Sequence, residues 1–153
     1  MALAACSAET SMAKSYGKSK GRRESGGFVL LPHALLNHPD FISLTPTGLR
    51  VLLWLAKHFN GRNNGDLSVT AGQVKTFGIG SSASLSRALA ELQEKRWIVC
   101  TRTGRFMKPG GRCSLYGLTW LPIDDCPGKD LEHPPTTAPI RSLSLEKRAK
   151  NPV

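Results

Sequence analysis

The stretch that most restricts how this chain can fold is residues 70–120, TAGQVKTFGIGSSASLSRALAELQEKRWIVCTRTGRFMKPGGRCSLYGLTW. Thr70 and Gln73 have the spacing of a capping box, in which side chains at both positions satisfy orphan helix amides. Ala71, Val74 and Phe77 follow at i, i+3 and i+6, enough for one apolar stripe on a short helix. Gly78 and Gly80 permit positive φ, and Ile79 between them can plug inward. Ser81 or Ser82 then caps a second helix, with Leu85, Ala88, Leu89 and Leu92 as its buried stripe. The opposite face carries Ala83, Ser86, Arg87, Ala90, Glu91 and Glu94, with Ser82 and Ser84 on its flanks. Its first half is small, hydroxylated and cationic, and its second half is acidic. The period then shortens: residues 97–102 (WIVCTR) suit a strand and residues 114–120 suit its return. The turn-rich loop between them brings Arg105, Lys108 and Arg112, with Arg102 just before. The predicted order is helix, turn, helix, strand, basic loop, strand.

Upstream, LTPTGLRVLLWLAKHFNG predicts the longest helix, capped by Thr45, with Pro46 in its first turn and Asn60-Gly61 as its stop. Leu49, Leu52, Leu53, Leu55, Ala56 and Phe59 share one broad face; Thr47, Arg50, Lys57 and His58 lie opposite. Trp54 falls in the middle of that polar side, which makes it a candidate partner interface, since aromatics concentrate at such contacts. The alternative is that the preceding apolar segment folds over it. That segment, FVLLPHALLNHPDF, predicts an extended entry at 28–31, one or two helical turns over 32–37 and a stop at Pro39. Asn63-Asn64-Gly65 signals a tight turn and 66–69 a short strand.

The formal charge of +10 favours a polyanionic partner. Residues 1–27 carry five Lys/Arg against two acids (+3), 28–120 eleven against four (+7), and 121–153 five against five (0). Most of the excess therefore lies where a core is expected and can form a fixed patch. Residues 1–27, with little apolar surface, are expected to be a disordered basic arm, 28–123 the folded domain, and 124–153 a Pro-rich, mostly disordered tail with a brief helix near 143–149. No apolar run approaches the roughly 20 residues of a membrane helix. MALAAC at the start lacks the charged and apolar regions of a signal peptide, so a cytoplasmic protein is expected, nucleoid-associated when bound. Four cysteines and four histidines are scattered without metal-ligand spacing, and Cys100 and Cys113, on the two predicted strands, are read as reduced thiols that can face each other. No Walker loop or nucleophile elbow occurs. The expectation is therefore no enzyme: no catalytic residues, metal, cofactor or small-molecule ligand.

With these elements placed, residues 27–120 resemble the winged helix-turn-helix proteins of bacteria, phages and plasmids, including small proteins of mobile elements and the DNA-binding domains of replication proteins. The resemblance rests on FVLLPHALLNHPDF, LTPTGLRVLLWLAKHFNGRNNG, SLSRALAELQEKRWIV, GRFMK and LYGLTW. It implies a mainly α fold with a small antiparallel β-sheet, and sequence-specific binding of double-stranded DNA with the second helix in the major groove. In such domains Gly often precedes the aromatic that opens the wing strand; Arg96 stands there instead, so either it adopts a left-handed conformation or the helix ends differently. Base contacts are expected from Ser82, Ser84, Ser86 and Arg87, with Arg87 suited to guanine. Phosphate contacts are expected from Lys75, Ser81, Arg102, Arg105, Lys108 and Arg112. One such domain covers few base pairs, so a homodimer is expected. The function expected is transcriptional regulation of a mobile element; the alternatives are a replication-associated DNA-binding protein, or a protein-binding module such as an inhibitor or assembly factor.

Overall fold

The computed structural model describes residues 26–144. The chain is mainly helical with a small two-stranded antiparallel sheet. Two single-turn helices, α1 (His33–Leu36) and α2 (Pro39–Ile42), open the fold, and residues 28–31 before them form no strand. Pro32 is the N-cap of α1, and Pro39 starts α2 rather than stopping the chain, because its missing N–H is an orphan in a first turn anyway.

Helix α3 (Pro46–His58) starts where predicted, with the Thr45 hydroxyl accepting from Gly48 N at 3.1 Å. It packs against α5 (Ser82–Glu94), and Gly48 makes the approach possible: a Cβ there would lie 2.5 Å from Glu91 Oε2. Between them comes α4 (Ala71–Thr76), held by the Thr70/Gln73 capping box. The turn to α5 uses positive φ at Gly78 (68°) and Gly80 (94°), with Ile79 buried between them as expected.

Helix α5 ends in a Schellman geometry: Trp97 N donates to Leu92 O at 2.8 Å and Arg96 N to Gln93 O at 3.0 Å. Arg96 takes the left-handed conformation itself, at φ 59°. The fully buried Trp97 and Leu92 supply the apolar closure of that motif. Strand β1 (Ile98–Arg102) pairs with β2 (Leu115–Leu118), Cys100 facing Tyr116. Cys100 and Cys113 are thus not cross-strand partners. The strand expected at 66–69 is a single bridge, Leu67 to Tyr116.

All four residues of β2 are buried, which a two-stranded sheet cannot achieve alone. Part of the cover is Ile123, whose Cδ1 lies against Gly117, and the chain beyond it is held in place as far as residue 144, where disorder was expected. Thr136 N donates to Ile123 O at 2.9 Å, Glu132 N to Thr101 O at 2.7 Å and Arg141 N to Thr119 O at 2.8 Å. Arg141 is only 4% exposed, with its guanidinium 4.1 Å from the centre of the Trp97 ring and 2.9 Å from Asp40 Oδ2. Composition suggested disorder because this stretch is Pro-rich and then charged; backbone hydrogen bonds and one buried cation hold it. Most of the helix expected at 143–149, and the arm at 1–25, lie outside the described residues.

Candidate functional site

The exposed first half of α5 is positioned by three contacts. Ser81 caps the helix, its hydroxyl accepting from Ser84 N at 3.2 Å. Arg50 on α3 donates to Gly78 O at 2.6 Å, tying the turn to the longest helix. Glu91, one helical turn beyond Arg87, accepts from Thr45 N (3.0 Å), the Thr45 hydroxyl (2.5 Å) and Lys95 Nζ (2.9 Å). It therefore serves as an anionic cap for α3, whose first-turn amides favour a negative charge. Burial pushes the Glu91 carboxyl up, but the hydrogen bonds from Thr45 and Lys95 outweigh this and hold it below its ordinary value. Periodicity had placed Glu91 on the exposed acidic face; it belongs to the α3–α5 contact. The signal that could have found it is Gly48, a glycine inside an otherwise strong helix.

Arg87 is exposed and makes no hydrogen bond or ion pair with the described residues. With Thr45, Thr47, Ser84, Ala88 and Glu91 it lines an open groove of ≈ 290 Å³. Of the serines grouped with it, Ser82 and Ser86 are exposed and Ser84 is half-buried. Ser86 donates its hydroxyl proton to Ser82 O at 3.1 Å, which leaves its oxygen as an acceptor. The Ser84 and Ser81 hydroxyls lie 3.1 Å apart, so both are partly spent on the cap. Lys75 is exposed in the last turn of α4.

The basic loop divides into two pairs. Arg105 and Lys108 are exposed toward its tip, and neither forms an ion pair or side-chain hydrogen bond among the described residues. Arg102 and Arg112 are half-buried and committed within the molecule. Arg102 donates to Lys129 O (2.7 Å) and Cys113 O (3.0 Å), and Arg112 lies 3.5 Å from Glu132 and 4.0 Å from Asp130. The hydrogen bond from the Thr103 hydroxyl, with Arg112 and Arg105 nearby, holds the Glu132 carboxyl below its ordinary value. Arg102 and Arg112, expected at phosphates, thus also tie the loop to the following segment: the acids that engage Arg112 belong to the segment expected to be disordered.

Trp54 is 8% exposed, so it offers no partner surface. Phe77, just after α4, covers it with ring centroids 4.8 Å apart, His58 lies 4.5 Å away, and Lys57 Nζ sits 5.4 Å from the ring centre. Among the described residues its aromatic cover comes from Phe77 and His58. Among the described residues no group of three His, Cys, Asp or Glu is placed to hold a metal ion, and no helix is long and apolar enough to cross a membrane. Comparison with family models, curated proteins and solved structures gave no match.

Proposed function

We propose that this chain is a winged helix-turn-helix protein that binds double-stranded DNA sequence-specifically and acts as a transcriptional regulator of a mobile element. The observation that carries the reading is Arg87: an unpartnered, exposed guanidinium on the small-residue half of α5, presented by a turn braced at Ser81, Gly78 and Arg50. A helix bearing small hydroxyls and one free arginine fits the major groove, where arginine contacts guanine O6 and N7 together. Arg105, Lys108 and Lys75 supply phosphate contacts, and the charge of +7 over residues 28–120 supplies the long-range attraction.

Titration of random-sequence duplex at two salt concentrations, followed by selection of the bound sequence, tests this. Arg87→Ala is expected to lose about 1–3 kcal/mol of discrimination at one base position while keeping most non-specific affinity. Arg105→Ala with Lys108→Ala is expected to weaken all sequences alike and to lower the salt slope by about two. Absence of binding even at low salt defeats the proposal. A selected palindrome identifies a dimeric regulator, and direct repeats a replication role.

A further inference from the structure

The tip of the β1–β2 hairpin places two large apolar side chains in solvent: Phe106 is 94% exposed and Met107 61%. Isolated exposed apolar residues are ordinary on protein surfaces. This pair is adjacent in sequence, lies just beyond the Arg105–Arg112 bridge, and is bracketed by Arg105 and Lys108, two exposed cations that form no ion pair or side-chain hydrogen bond among the described residues.

The stem beneath is tightly closed. Arg105 and Arg112 exchange backbone hydrogen bonds at 2.9 Å, and Gly104 N donates to the Ser114 hydroxyl at 3.0 Å. A Cβ on Gly104 would lie 2.8 Å from Ser114 N, and one on Gly111 would lie 3.1 Å from Met107 O. Arg102 and Arg112 bind the base of the loop to Lys129, Asp130 and Glu132. A hairpin serving only as a basic handle has no use for an aromatic and a thioether at its extremity.

We propose that Phe106 and Met107 form a wedge that enters the DNA groove next to α5 and partly unstacks a base step, while Arg105 and Lys108 hold the flanking phosphates. The inference rests on the DNA-binding reading above. Apolar wedges flanked by cations suit the minor groove, which is too narrow for a helix, and there they kink the duplex by about 20–90°. The partner is selected by charge: the two apolar groups sit between two exposed cations, matching apolar base faces between phosphate ribbons. An anionic membrane shares the charge, but two side chains bury too little apolar surface for stable anchoring. The consequence is that the loop adds recognition of deformable steps to its electrostatic affinity.

The test uses the full chain, random-sequence duplex, nicked plasmid resealed by ligase with protein bound, and phosphatidylserine vesicles. Wild type is expected to change the linking number of the resealed plasmid. Phe106→Ala with Met107→Ala is expected to reduce that change at least about fivefold at equal occupancy, while low-salt affinity for random duplex falls less than about threefold. Phe106→Trp adds an exposed reporter to three buried tryptophans and is expected to be quenched by duplex. Equal unwinding by wild type and the double variant, or no unwinding by bound wild type, overturns the wedge and leaves the DNA-binding proposal standing. Absence of duplex binding at low salt overturns both. A blue shift of the Phe106→Trp emission on vesicles without quenching by duplex assigns the tip to a membrane and overturns the wedge.

Discussion

Glu91 departs from the exposed position that periodicity assigns it, and Arg96 takes the left-handed one of its two expected conformations. Glu91 falls on the outward side of a helical wheel and Arg96 stands where Gly is usual, and both are set by what lies across the fold. Glu91 titrates below its ordinary value of 4.5, so its folded-state pKa lies under the unfolded one. The stability it contributes is therefore present above that value and is lost as pH falls through the lower folded-state value. Glu91→Gln is expected to unfold at lower urea concentration than wild type at neutral pH, with the gap closing below pH 4.5. A gap independent of pH would show that the carboxylate charge is not what stabilises the α3–α5 contact. Arg96 accepts left-handed strain because its carbonyl receives the Thr119 hydroxyl at 2.6 Å and its neighbour Trp97 is fully buried. The adjoining contacts fix the backbone there, and the side chain is incidental.

At the scale of elements, Asn64 organises the return from the sheet. It was legible only as a turn former, yet it is fully buried. Its Nδ2 donates to Leu118 O (3.0 Å) and Pro122 O (2.7 Å), and its Oδ1 accepts from Leu118 N at 2.6 Å. Gly117 beside it has no room for a side chain, since a Cβ would lie 2.5 Å from Ile123 Cδ1. Asn64→Leu keeps the branched shape, with two larger methyl groups, and removes every side-chain polar contact, leaving a buried amide and carbonyls unsatisfied. It is expected to destabilise by about 2–4 kcal/mol, read from urea unfolding midpoints. The reading of α3, α4, α5 and the two strands from sequence succeeded because each has a local signature: Thr45, the Thr70/Gln73 box, Ser81, and the change of period after Arg96. The roles of Arg102, Arg112 and Trp54 were not legible, because their partners (Lys129 O, Glu132 and Phe77) are 27, 20 and 23 residues away.

For the whole molecule, the segment after Ile123 is the main departure. It pairs with Thr101 through Glu132 and His133, and lays Arg141 on Trp97. A chain ending at Asp125 is expected to lose at least about 3 kcal/mol, the sum of several buried hydrogen bonds and one charged one. In the full chain the amides of Thr136 and Arg141 are expected to be protected from hydrogen exchange; rapid exchange there would show that the segment is not docked. The sequence by itself determined the order and type of the central elements and the location of the excess charge, since capping, periodicity and composition are local properties. Only the tertiary structure decided which cations are free, which acid caps α3, what covers Trp54 and why β2 is buried on both faces. Those outcomes depend on groups distant in sequence meeting in space, and no local pattern encodes such a meeting.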